Sequence, residues 1–168
     1  ILLGLAFDFY CSGVSEDNIV AEFDELVRQS ADRTNNFCEC ETRDRDAIEL
    51  PSSQKQLVLD VRANMGKGKK LIAVLIHGGA VALDNETLGA LDAIVDAFYP
   101  GPHGAQAIAD VIFGTFSPSG RLPITFYHKT SDLPKLDEMN WYPNATSNSP
   151  GISYRYFQGD VLFPFGFG

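Results

Sequence analysis

Apolar positions along this chain fall into short unbroken runs that alternate with stripes of helical spacing. Ile1 to Phe9 is mostly apolar and ends before Gly13, which predicts a buried strand. Ser15 then opens a stripe of Ile19, Val20, Phe23, Leu26 and Val27, the spacing of one helix face. Glu16 and Asp17 stand in the first turn of that helix, where its dipole favours anions. After Pro51, Ser52 or Ser53 is the expected cap of a second helix with Leu57, Val58, Val61 and Met65 on its inner face. Gly66-Lys67-Gly68 ends it. Leu71 to Ile76 is continuously apolar, as in a parallel strand covered on both faces. His77-Gly78-Gly79 turns the chain at the carboxyl end of that strand, where open α/β sheets place their ligands.

Leu88 to Leu91 predicts a short helix and Ala93 to Phe98 the next strand. Ala105, Ile108, Ala109 and Ile112 predict a helix that stops at Gly114. Arg121 to Tyr127 reads as a short strand that Pro123 restricts to an edge. The alternation predicts an α/β fold: a layered α/β sandwich with a mostly parallel sheet and one edge strand near residues 121–127. Residues 1–127 are expected to form the sandwich core, incomplete at its N-terminus. Residues 128–168, rich in proline and aromatics, are expected to pack on the same domain as an extension. Both ends of the chain are abrupt, and we read it as an internal piece of something longer.

Composition narrows the function classes. The 168 residues are 45% hydrophobic and 21% charged, which suits one globular domain with a real core. A formal net charge of -9 argues against a nucleic-acid or anionic-membrane surface, because phosphates are bound by clustered Lys and Arg. The one basic run, Lys67, Lys69 and Lys70, suits a solvated loop. No segment approaches the roughly 18–20 apolar residues of a membrane span. Cys11, Cys38 and Cys40 have neither redox nor metal spacing. They are either ordinary thiols or include one pair made by Cys11. The sequons Asn85-Glu86-Thr87 and Asn144-Ala145-Thr146 are compatible with a glycoprotein that is secreted or extracytoplasmic.

The chemistry concentrates between Cys38 and Gln54. Glu39, Glu41, Asp44, Asp46 and Glu49 crowd around Arg43 and Arg45. Such a stretch is either a solvated loop or a site whose charges set one another's pKa values. Glu39 and Glu41, two apart on an extended segment, share a side and can form a like-charge pair with one pKa raised, as a general acid requires. A solvated acidic loop pinned by Arg43 and Arg45 accounts for the same residues. His77 is either a ligand contact or a satisfied turn histidine. There is no nucleotide-binding glycine loop and no nucleophile elbow, and the spacing of His77, His103 and His128 suggests no metal. No cofactor is expected.

Further along, Ala107-Ile108-Ala109-Asp110-Val111-Ile112-Phe113-Gly114 and Pro118-Ser119-Gly120-Arg121-Leu122-Pro123-Ile124-Thr125-Phe126 resemble a signature of glycoside hydrolase family 3. Other stretches resemble family motifs in the same order: Glu41-x-x-Asp44-Arg45 with Glu49-Leu50-Pro51-x-x-Gln54, Leu71 to Gly79, Tyr99-Pro100-Gly101, Tyr154-Arg155-Tyr156, and Phe163 to Gly168. The resemblance runs from about Cys38 to the end and more loosely back to Phe9. Cys38 to Asp46 and the region from Asp132 to Met139 look closest to the β-xylosidase and arabinofuranosidase branch.

The resemblance implies a two-domain retaining exo-β-glycosidase of xylosidase or glucosidase type. A barrel domain supplies an aspartate nucleophile, and the following α/β sandwich supplies the acid/base glutamate. The present chain resembles the sandwich only, so its implied partners are a glycoside or oligosaccharide and an N-terminal barrel of the same longer polypeptide. Alone it is not expected to be active. Matched on the Asp-Arg pair, the acid/base falls on Glu41, with Glu39 in reserve. Asp44 and Arg45 would support it, and His77 and Gly78 are a possible substrate-side loop. In one respect the chain departs from the family. Arg33 to Phe37 stands where an apolar strand normally precedes the carboxylate loop. That leaves a second reading, a non-catalytic binding or structural domain within a larger assembly.

Overall fold

A computed structural model describes residues 2–6, 45, 47–134, 140–146, 150–152 and 154–168. Three parallel strands form its sheet in the order β1-β2-β3: β1 is Leu2–Ala6, β2 Ile72–Ile76 and β3 Ala93–Asp96. Leu2 pairs with Ile72 and Ala6 with Ile76, while Ile72 pairs with Ala93 and Leu75 with Asp96. The middle strand therefore holds its neighbours on both edges. Its Ala73, Val74 and Leu75 are buried, as its unbroken apolar run predicts. The first strand lies where the opening apolar run places it. The third ends two residues before the predicted Phe98, because Phe98 takes a positive φ of 46° and leaves the extended region.

Helix α1 spans Ser52–Asn64. Neither Ser52 nor Ser53 occupies its cap position. Pro51 does, and its carbonyl accepts from the N–H groups of Gln54 and Lys55 at 2.9 Å each. Val58 is fully buried, with Leu59, Val61 and Met65 packed against the core. The expected inner-face residue Leu57 is 46% exposed. It lies about 100° round the helix from Val58, beyond the contact stripe.

Helix α2, Asn85–Ala90, starts three residues earlier than predicted, because Asp84 caps it by accepting from the Thr87 N–H at 2.8 Å. α1 and α2 pack together, and a core of Leu50, Val58, Leu71, Ala73, Leu75, Val81, Leu83 and Ala90 joins them to the sheet. Arg62 and Lys70 both reach Asp92, at 2.6 and 2.8 Å, and Asp92 also accepts the Leu71 N–H. This ties the end of α1 and the start of β2 to the start of β3. Helix α3 is Gly104–Ile112, and the chain turns out of it through Gly114 at φ 75°.

The predicted edge strand at residues 121–127 is not formed. The segment makes one antiparallel bridge, Phe126 with Phe163, outside the β1–β3 sheet. A second contact pairs Leu122 with Gly166 and Phe167 through backbone bonds of 2.8 and 2.9 Å. Pro123 stands between these two points without an N–H to continue a ladder. No helix among the described residues is long and apolar enough to cross a membrane.

Candidate active site

Glu41, Glu39 and Asp44 lie outside the described residues, as do the three cysteines and the helix predicted after Ser15. The described part of the charged stretch begins at Arg45 and shows how its downstream flank is held. Nη1 of half-buried Arg45 donates to the Ala80 carbonyl at 3.1 Å. The Ala82 N–H donates to the Ile48 carbonyl at 2.7 Å, and the Leu50 N–H to the Ala82 carbonyl at 2.9 Å, giving a parallel bridge between Glu49 and Ala82. Arg45 and residues 47–50 thus lie beside residues 80–82, which leave the His77-Gly78-Gly79 turn. Two stretches that the sequence marks separately meet here.

On its other side this flank is fastened to Thr130, the first residue of a 3₁₀ turn over Thr130–Asp132. The Thr130 N–H donates to Glu49 Oε1 at 2.7 Å, and its hydroxyl donates to Oε2 at 2.5 Å. The same hydroxyl oxygen accepts from the Ile48 N–H at 2.9 Å. Partial burial pushes the Glu49 carboxyl up, but the hydroxyl and N–H of Thr130, with nearby backbone N–H groups, outweigh burial and hold it below the ordinary glutamate value.

At the carboxyl end of β2, His77 is 1% exposed. Its ring lies 5.0 Å from that of Phe98 and 5.8 Å from that of Phe126, centroid to centroid. Nε2 is 3.3 Å from Asp96 Oδ1 without hydrogen-bond alignment, and neither ring nitrogen has a hydrogen-bond partner among the described residues. Among the described residues the imidazole is buried against these rings, neither open to a solute nor satisfied as a turn histidine would be. Gly78 is exposed, and a Cβ there would come within 2.8 Å of the Tyr99 hydroxyl.

Sequence reasoning missed Thr130, Asp96 and Phe98. Thr130 meets its partners across 81 and 82 positions, so no local signal could have flagged it. Phe98 precedes Tyr99-Pro100-Gly101, and that turn motif was the available hint. Its left-handed backbone is held by its N–H donating to Asp96 Oδ1 at 3.2 Å. Among the described residues no three His, Cys, Asp or Glu side chains are grouped to hold a metal.

The family model described as "Glycosyl hydrolase family 3 C-terminal domain" matches residues 16–168. The chain belongs to this family. It is 37% identical, over 99% of its length, to a "Beta-xylosidase/alpha-L-arabinofuranosidase 2" of Medicago sativa subsp. varia. To a "Xylan 1,4-beta-xylosidase" of Xylanibacter ruminicola it is 42% identical over 74% of its length. It spans 22% and 13% of those two proteins. A crystal structure of a β-glucosidase from Listeria innocua in complex with isofagomine overlays 73% of the chain and 17% of its own length. The overlay has a TM-score of 0.52 at 24% identity, which speaks to the fold alone. In this family-3 C-terminal domain Arg45 bonds to the Ala80 carbonyl, at the exit of the glycine turn.

Proposed function

We propose that this domain supplies the general acid/base, Glu41 with Glu39 in reserve, to a retaining exo-acting β-glycosidase of xylosidase or glucosidase type. A barrel domain of the same longer polypeptide completes the active site. The observation that carries this reading is the anchoring of Arg45, Ile48 and Leu50, a few positions downstream of Glu41 in sequence, along the exit of the β2 turn in a family-3 C-terminal domain. In the first step the Glu41 carboxyl gives its proton to the glycosidic oxygen as that oxygen leaves the anomeric carbon and the barrel's carboxylate bonds to it. In the second, the Glu41 carboxylate takes a proton from the water that attacks the anomeric carbon and releases the barrel's carboxylate.

The test is Glu41→Gln in the polypeptide that carries both domains. Hydrolysis of glycosides with poor leaving groups should fall by about 10²–10⁴-fold, the usual contribution of general acid catalysis. Substrates with very good leaving groups should lose far less in the glycosylation step, which needs no proton there. An unchanged rate on poor leaving groups would make the Glu41 assignment wrong and move the same test to Glu39.

We also propose that residues 1–127 and 128–168 act as one domain, supported by the Glu49–Thr130 and Phe126–Phe163 contacts across that boundary. The sequons support placing the protein on the secretory route. Asn144 is exposed and its Oδ1 accepts from the N–H of the sequon's Thr146 at 2.9 Å. Thr87 of the other sequon is 1% exposed. Glycan release from protein purified from its source, followed by peptide mass mapping, checks this; bare Asn144 and Asn85 would remove the support.

A further inference from the structure

A general acid works only while its proton is held within hydrogen-bond reach of the departing oxygen, so an acid carried on a loop depends on what fixes that loop. The fastening at Thr130 has the form such a device needs. One side chain accepts from the loop's own backbone at Ile48 and donates to Glu49, while its N–H takes the second oxygen of the same carboxylate. Two donors on two oxygens of Glu49 fix the carboxylate in rotation as well as position, and charge-assisted bonds of this kind are the stronger ones. The carboxylate held below its ordinary pKa stays ionised, and so stays an acceptor, through mildly acidic conditions. Arg45 on Ala80 secures the other end of the same flank.

We propose that Thr130, acting through Glu49, is a positioning residue for the acid/base step. It holds the downstream flank of the Glu41 loop in the register that presents the acid to the glycosidic oxygen. The proposal rests on the assignment of Glu41 above. Thr130 and Glu49 touch neither substrate nor reacting atoms in this role; they act on where Glu41 stands.

Thr130→Val exchanges the hydroxyl for a methyl group of similar size and removes both bonds made by that oxygen. Thr130→Ser keeps the oxygen. Glu49→Gln keeps the shape and removes the charge. In the two-domain polypeptide, Thr130→Val and Glu49→Gln should lower kcat on xylosides or glucosides with poor leaving groups by about tenfold to a hundredfold, the scale of a misplaced catalytic group. KM on these substrates should change little, kcat/KM on dinitrophenyl glycosides, which reports the glycosylation step and needs no proton, should stay within about twofold, and Thr130→Ser should restore the rate. Equal losses of kcat/KM on both substrate types would mark the clasp as merely structural and overturn the proposal, and so would no loss on either. If Thr130→Val fails to fold, Glu49→Gln carries the same comparison. Glu41→Gln measured in parallel separates the two ideas. A flat Glu41→Gln overturns the acid/base assignment and the proposal with it. A severe Glu41→Gln beside a flat Thr130→Val overturns the positioning role alone.

Discussion

His77 and Asp96 close the carboxyl end of the sheet together, Nε2 of the one standing 3.3 Å from Oδ1 of the other across β2 and β3. The imidazole is wedged against Phe98 and Phe126, and the aspartate also accepts the N–H of Phe98. His77→Ala should leave a cavity at a fully packed position and cost about 2–4 kcal/mol of stability. A denaturation midpoint that moved by less than the equivalent of about 1 kcal/mol would contradict the packing described.

Asp84 caps α2 and pairs with Lys55 at 2.6 Å. Partial burial raises its pKa, but the Lys55 ammonium and the Thr87 N–H and hydroxyl outweigh burial and lower it from 3.8 to about 2. Its stabilisation is therefore complete above its ordinary value near 3.8 and is lost as pH falls through about 2. Asp84→Ala should cost about 1 kcal/mol, most of it from the cap, because the exposed ion pair is screened by water and salt. The difference between variant and parent should shrink at strongly acidic pH. A difference that grew there would reverse the sign of the linkage.

Glu49 gives a second acid-sensitive contact. Because its pKa lies below the ordinary glutamate value, the clasp to Thr130 should be intact above that value and weaken as pH falls through the lowered one. Exchange of the Ile48 and Thr130 amide hydrogens, corrected for intrinsic rates, should speed up over that acidic window in the parent. In Glu49→Gln the acceleration should be absent.

Two glycines should respond differently to alanine. At Gly104 the new Cβ would come 2.3 Å from Pro100 Cβ, on a rigid ring, and Gly104→Ala should cost about 1–3 kcal/mol by overpacking. At Gly78 the obstacle is the ring end of Tyr99, which is 59% exposed and free to swing outward. Gly78→Ala should cost less than about 1 kcal/mol, and the double change Gly78→Ala with Tyr99→Ala should relieve most of the clash. Thermal midpoints of the three variants compare the cases directly.

Most elements were legible because local pattern and tertiary burial agree. The apolar run from Leu71 to Ile76 had to be a covered strand, and the spacing of Val58, Val61 and Met65 had to be a helix face. Errors fell where a single backbone or side-chain bond overrode the pattern. Pro51 took the cap that Ser52 or Ser53 was expected to fill, Asp84 drew the start of α2 back to Asn85, and Pro123 broke the ladder at residues 121–127.

The amino-acid order alone determined the α/β class, the family motifs and the charged stretch around Glu41, since these reside in residue type and spacing. Only the tertiary structure decided what that stretch is fastened to. Ala80, Ala82 and Thr130 are brought to Arg45, Ile48 and Leu50 by the folding of strands and turns far along the chain, and contacts of such long sequence separation leave no periodic trace. Tertiary packing likewise turned His77 inward, because the imidazole fills a space that Phe98 and Phe126 enclose only after β2 and β3 are side by side.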